Sequence, residues 1–570
     1  MFGNNYVCWL VFWAVTGSVV NGFAPESERQ VPAPEPIAFR VWPSMPPESS
    51  SFELSKTITG LAFTGRYANY TTADTWYPSW GADDRLYSPF TDTAGGDGVN
   101  GVRSWSGGGD AVVGHAVIEG DNPLKLKLVE PDLIPGSPVP YGGRYPCGSL
   151  MFDGNWYLGT YALNNASYGL NWPILGPCPG FHVSKDLGKT WTPSPLSCEP
   201  GKALFPEPTK RNGPVKIGAP HFVDFGKNMA HSPDGKAYLV GHGSTEPDQE
   251  DRNANLSWIT GDQIYLCRVK PSPSNINDES KYEYFAGHDD NGQALWSWDF
   301  ENLRPLVDWD NNCGCVTITY NAPLKRFLMC VTDGWPTIQT MNTYILESDS
   351  ITGPWKLVSY MKDFGVQAYF VNFPSKFISP DGRTAWLCYS GNFTRNQPVN
   401  PPGGKYAMSL HEIHLLAPDE SIPESPLIEP GNIAPLATVS SSSTHSNYQA
   451  GGVTDGCVGG YPGNYQQEWA TQGEKDTAIL RLTWNQPQTI DRVWLFDRPN
   501  DLDQVLSGLL VFSDGSTVKT GRLPDNASYG LEVRFEPKSV KWLAFFVTGV
   551  GSKTQNIGLS EIAVFTYQSE

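Results

Sequence analysis

The sequence predicts an all-β protein, a five-bladed β-propeller followed by a second, smaller β-module. Three observations lead there. A strand–turn–strand pattern recurs five times between residues 57 and 417. The 570 residues include 58 glycines, 48 prolines and 20 tryptophans, with only 17% charged residues, which suits short strands joined by turns rather than coiled coils or bundles. After Gly431 the texture of the chain changes. A length of this order calls for several domains, or one large β domain with a smaller companion.

Taken in order, residues 1–22 read as a signal peptide. The apolar run from Tyr6 to Val20 is shorter than the roughly 20 residues a spanning helix needs, and small residues follow at Asn21 and Gly22. No Lys or Arg precedes Arg29, so a basic leader is missing. The expectation is a secreted, extracellular protein with no membrane span. Five Asn-x-Ser/Thr acceptors, at Asn69, Asn165, Asn255, Asn392 and Asn526, suit that route. Residues 23–56, crowded with Pro, Glu and Ser, are expected to form an extended, poorly ordered arm.

The five repeats are Trp76 to Asp92, Cys147 to Tyr161, His221 to His242, Val316 to Asp333 and Phe373 to Asn392. Each has an apolar run, a turn rich in Asp, Gly, Asn or Pro, and a second apolar run. Three turns contain Asp-Gly, the strongest short hairpin signal. Asp153, Asp234 and Asp381 are therefore turn formers. The spacing is that of propeller blades whose outer halves vary in length. Residues 418–431 form a linker.

A formal charge of −19 disfavours nucleic acid and anionic membranes as partners. A neutral poly- or oligosaccharide fits better, bound by a monomer. Setting Cys8 aside leaves an odd number of cysteines, of which Cys178 and Cys198 bracket a Pro/Gly-rich loop and are expected to pair. Cys313-x-Cys315 is too close for a zinc-ribbon spacing.

In a propeller, residues just before each first strand and just after each second strand share one funnel. The first set holds Asp74, Arg144, Tyr145, Lys216, Asp308, Asp310 and Tyr369. The second holds Asp92, Tyr161, His242, Glu246, Asp333 and Trp335. Carboxylates with aromatics in one concavity match glycosidic chemistry, where one carboxyl protonates the leaving oxygen and another acts as base or nucleophile. The catalytic candidates are Asp74, Asp92, Glu246, Asp310 and Asp333, with Glu246 first choice for the acid. Arg144, Tyr145, Lys216, His221, His242 and Trp335 are candidates for substrate binding. No phosphate loop, nucleophile elbow or zincin motif is present, and no catalytic cofactor is expected.

Two turns carry a resemblance. Ser184-Lys185-Asp186-Leu187-Gly188-Lys189-Thr190-Trp191 matches the Asp box of sialidase-like propellers, in which the Trp packs between blades. Ser348 to Trp355 resembles a turn of five-bladed glycosidases. The propeller thus resembles the clan of arabinanases, β-xylosidases and invertase-type enzymes. That resemblance makes Asp74, in Ala73-Asp74-Thr75, the general base. Blade two lacks the clan's modulating Asp, however, and blade three lacks its Glu-Gly-Pro acid motif. From Asn432 onward, Asn432-Ile433-Ala434-Pro435, Val453-Thr454-Asp455-Gly456, Glu468-Trp469-Ala470-Thr471, Asp497-Arg498-Pro499-Asn500 and Gly558-Leu559-Ser560-Glu561-Ile562 are similar to discoidin-like, galactose-binding-like jelly rolls. The similarity implies a glycan-binding β-sandwich over residues 432–570, with Trp469 and Arg498 lining the sugar site and Asp455 and Glu561 holding a structural calcium.

The leading expectation is a secreted glycoside hydrolase. A polysaccharide lyase on the same scaffold, using Tyr145 or His221 beside Arg144 and Lys216, is the nearest alternative. A non-catalytic lectin or adhesion protein is the alternative from another class.

Overall fold

The computed structural model describes residues 40–567 apart from 43, 94–102, 107–110, 130–132, 136–144, 163–177, 197–201, 208–214, 245–257, 335–339, 393–400, 402, 421–430, 457, 459–464, 499, 501 and 525–529. The chain divides into Met1–Ile37 and Ala38–Glu570, and the first unit lies outside the described residues. So do Arg144, Cys198, Glu246, Trp335 and Cys457.

The protein is all-β: the described elements are strands and short 3₁₀ turns. None of the described helices is long and apolar enough to cross a membrane. Each of the five repeats is an antiparallel hairpin, and each nucleates its own sheet. The pairs are Ser79–Trp80 with Leu86–Phe90, Tyr145–Phe152 with Asn155–Tyr161, Gly218–Phe222 with Ala237–Gly243, Val316–Asn321 with Arg326–Asp333, and Tyr369–Asn372 with Thr384–Ser390. Near-continuous burial along these strands covers both faces of the hairpins between neighbouring sheets.

The fifth sheet is completed from the far end of this region. Leu61–Asn69 lies between Arg40–Val41 and Ser409–Leu415. Part of the expected arm is therefore built into the fold. Ser55 N–H donates to Leu357 O at 2.8 Å, Leu357 N–H donates to Glu53 O at 2.8 Å, and Trp42 Nε1–H donates to Lys362 O at 3.0 Å. The arm has no hydrophobic period because it borrows partners from strands some 300 residues away instead of folding on itself.

The Asp box does what its residues suggest. Asp186 accepts from Thr190 N–H at 2.8 Å and from Thr190 Oγ1–H at 2.6 Å, and these donors pull its carboxyl down to about 2. Trp191 packs 5.1 Å from both Trp156 and His115, which belong to adjacent sheets.

Beyond Asn432, a six-stranded sheet built on two long strands, Ile479–Phe496 and Gly530–Val550, pairs with Thr438–Ser441, Val505–Phe512, Thr517–Thr520 and Glu561–Thr566. Trp469–Ala470 and Gly558–Leu559 form a second, two-stranded sheet. Leu480, Leu482, Val493, Leu543, Phe545 and Ile562 fill the core of this module.

Candidate functional site

All five hairpin sheets contribute to the lining of one cavity of about 40 Å³: Tyr77 and Ser79, Gly148 and Ser149, His221 and Phe222, Thr317 and Thr319, Asn372 and Phe373. The strands reach it through strained backbone. Thr75, Gly148, Ala219 and Phe370 have φ of 61°, 88°, 43° and 53°, and register shifts fall between Pro146 and Ser149, Gly218 and His221, and Tyr369 and Asn372. These bulges re-aim the side chains at the starts of the inner strands. Gly148 is required, since a Cβ there would lie 3.1 Å from Pro220 O at an unfavourable φ. Left-handed backbone at Thr75, Ala219 and Phe370 costs about 1–3 kcal/mol per residue, strain of the kind that clusters at functional sites.

Asp74 sits at the start of the first hairpin. Its backbone exchanges two 2.9 Å hydrogen bonds with Thr91, and this pairing brings the next residue, Asp92, close to it. Asp74 is 7% exposed. Tyr369 donates to Asp74 Oδ2 at 2.6 Å. The Tyr406 hydroxyl lies 2.9 Å from the same oxygen and 3.0 Å from the Asp92 carbonyl. Asp74 Oδ1 is buried with no hydrogen-bond partner. Burial first, then the charge of Asp92, holds the Asp74 carboxyl well above the usual range. Asp92 accepts from Ser106 N–H at 2.7 Å and Ser106 Oγ–H at 2.6 Å, and burial raises its carboxyl too.

Around this pair are Tyr77, Tyr161, Trp258, Tyr369 and Phe370, all buried, with Tyr145 and Tyr406 packed against them. The His221 ring lies 4.3 Å from that of Tyr77, tilted at 56°, with both ring nitrogens buried and without a hydrogen-bond partner. Burial, then the neighbouring His242, pushes its imidazole down to about 3, so it is neutral. His242 is fully buried and pairs in register with Gly218.

Other expected residues lie elsewhere. Asp310 is exposed on a turn. Asp333 is buried beside Cys313, Tyr344 and Tyr360, whose ionisation its charge opposes. Lys216, expected in the funnel, places its ammonium 5.2 Å over the Phe300 ring, because its apolar stem and charge find an aromatic face there. Sequence reasoning passed over Glu207. Its Oε1 accepts from Lys216 N–H at 3.0 Å and Ile217 N–H at 2.6 Å, Oε2 is unpartnered, and burial pushes the carboxyl up to about 7. Tyr406 was also missed, since its Pro/Gly-rich loop carries no periodic signal. The seven described cysteines are all buried, Cys178 beside Ala162.

In the C-terminal module Trp469 is fully buried and its indole donates to Ser443 O at 2.8 Å. It is a core residue, which corrects the expectation that it lines a sugar site: its ring fills the space between the two sheets. Arg498 is 3% exposed and is held by Asp503 at 2.6 Å and Glu468 at 3.1 Å, with Tyr448 Oη 3.1 Å away. Tyr448 packs on His445 and on Tyr465, which is 39% exposed. Glu561 is fully buried; the backbone N–H groups of Gly456 and Asp455 reach its carboxyl, but burial, then the charge of Asp455, pushes it up to about 10. A buried carboxyl beside a second carboxylate offers the hard oxygens a divalent cation takes. No group of three or more His, Cys, Asp or Glu with metal-binding geometry occurs among the described residues.

Residues 432–565 match a family model described as a domain of unknown function, DUF7402. No curated protein matches the chain. Similar solved structures include the lectin domain of lectinolysin complexed with Lewis B antigen (21% identity, 25% of this chain and 100% of that one, TM-score 0.21). A fucose-binding module of Streptococcus pneumoniae is 21% identical over 24% of this chain and 98% of its own, with a TM-score of 0.21. The family 32 carbohydrate-binding module of C. perfringens NanJ, in complex with galactose, is 13% identical over 24% and 98%, with a TM-score of 0.20.

Proposed function

We propose that this is a secreted carbohydrate-active hydrolase whose five sheets are the blades of a β-propeller and whose C-terminal module binds glycan. The observation that carries the reading is the Asp74–Asp92 pair, two neighbouring carboxyls beside the buried aromatic cluster of Tyr77, Tyr161 and Tyr369. Glycoside hydrolysis needs one carboxyl as proton donor and one as base or nucleophile, and aromatic faces hold sugar rings. The lyase alternative loses support, because Lys216 is turned to Phe300 and His221 is buried with no charged partner among the described residues to activate it. In the C-terminal module, Tyr448 and Tyr465 form the sugar site, and the buried Arg498, fixed by two carboxylates, supports Tyr448 from within. Glu561 and Asp455 are the residues that would hold a structural calcium ion in this module.

The test is digestion of a panel of poly- and oligosaccharides by the secreted protein. Release of reducing sugar from one class supports the reading, and no release from any member rejects hydrolysis. A second reading, a lectin without turnover, draws on the half-exposed Tyr448 and Tyr465 and predicts binding with no release.

A further inference from the structure

We infer that residues 226–230, in the turn of the third hairpin, are a strained flap that closes the cavity where the five sheets meet. The flap opens on its own, while the sheets stay folded, and admits solvent from the turn end of the hairpins. The inference is independent of the hydrolase reading.

This one turn reaches all four other hairpins. Its root, Asp224, is pinned on two sides. Tyr320 N–H of the fourth hairpin donates to Asp224 O at 2.8 Å, and the Asp224 carboxyl accepts from Ser375 N–H at 2.8 Å and Ser375 Oγ–H at 2.7 Å, in the turn of the fifth. The flap beyond it is latched to the other two. Lys227 Nζ lies 2.6 Å from Asp84 Oδ1 in the first turn, and Asn228 Oδ1 accepts from Asp153 N–H at 2.9 Å in the second. Asp84, the seat of the first latch, is fixed in turn by Lys376, which donates to its carbonyl and pairs with Asp121 at 2.8 Å.

Inside the latches the flap is a wall of the cavity. Gly226 and Met229 line it, and the Met229 side chain is buried there. The backbone that places it is strained: Gly226, Asn228 and Met229 have φ of 81°, 51° and 56°. Gly and Asn tolerate the left-handed region, but Met does not, so the contacts around the flap hold Met229 in a conformation it would leave if freed. The flap's own hydrogen bonds are local, Met229 N–H to Gly226 O at 3.1 Å and His231 N–H to Phe225 O at 3.0 Å. Opening therefore breaks two side-chain latches and no strand ladder. The Lys227–Asp84 latch is partly exposed, and salt weakens it.

Hydrogen peroxide reads the opening, because a methionine is oxidised when it meets solvent. Met151, on the cavity wall, and Met229 are 4% and 6% exposed, whereas Met361 and Met408 are 0% and 1% exposed in other clusters, and Met45 is 76% exposed. In the full chain, sulfoxide formation is followed by peptide mass mapping, with each rate taken relative to Met45. Met151 and Met229 should oxidise about 3-fold or more faster in roughly 0.5 M than in roughly 0.02 M sodium chloride, while Met361 and Met408 keep their rates. Lys227→Ala and Asn228→Ala should each produce that increase at low salt, and Lys227→Ala should lose the response to salt. If neither variant folds, the salt response of the wild type decides alone. Rates of Met151 and Met229 that ignore salt would show that no such latch holds the flap, and would overturn the inference. A rise of all four buried methionines together would make the opening part of general unfolding and would overturn it as well.

Discussion

Tyr369 donates a 2.6 Å hydrogen bond to Asp74 across 295 residues of sequence. The bond ties the first hairpin to the fifth and fixes one oxygen of a carboxyl whose other oxygen has no partner. Local strain, long-range closure and site chemistry meet at this contact.

Asp74 should therefore be a liability to stability. Its carboxyl titrates higher in the folded than in the unfolded chain, so as pH rises the unfolded chain ionises first and stability falls between the ordinary Asp range and the folded value. Asp74→Asn, whose amide reproduces the neutral acid, should lack that slope and be more stable at neutral pH by about 1–3 kcal/mol. Denaturant melts of both proteins from pH 4 to 8 check this; parallel curves would contradict it.

Calcium should stabilise the C-terminal module. Glu561 is protonated at neutral pH without a metal, so binding releases a proton and tightens as pH rises. Melting should shift upward on adding calcium chloride and downward with a chelator, and Glu561→Gln should abolish the shift. An unchanged melting temperature in the wild type would rule the site out.

Arg498 and Tyr465 should separate scaffold from contact. Arg498→Ala leaves Glu468 and Asp503 buried and unpaired, at a cost of about 3–5 kcal/mol. Tyr465→Ala removes a partly exposed ring and should weaken glycan binding roughly 2- to 10-fold with little change in melting. Glycan-array binding with thermal melts distinguishes the two.

Among the five acceptor asparagines, Asn392 is 9% exposed with φ of 49°, leaving no room for an attached sugar. When the protein is made through a secretory pathway, peptide mass mapping should find Asn392 unmodified. A glycan there would contradict the packing around it.

The hairpins were legible because each is local: alternating apolar residues around Asp-Gly or Asn-Ala-Pro turns state their pairing within about 20 residues. Asp74, Asp92, Tyr161 and Tyr369 could be placed near one another for the same reason, since they start or end such hairpins. Tyr406 and Glu207 could not, because their partners are set by the way separate sheets meet. The strand Leu61–Asn69 pairs with Ser409–Leu415, a closure without local signal. Trp469 shows the opposite error, for a Trp beside a polar Glu looks the same in a core as in a binding face until the second sheet covers it.

Turnover by Asp92→Asn tests the carboxylate pair most directly. On whichever glycan the wild type cleaves, this variant should fold normally, still bind glycan through its C-terminal module, and lose about 100-fold or more of its rate. Retention of full wild-type turnover by Asp92→Asn would contradict the assignment of Asp74 and Asp92 as the hydrolytic pair.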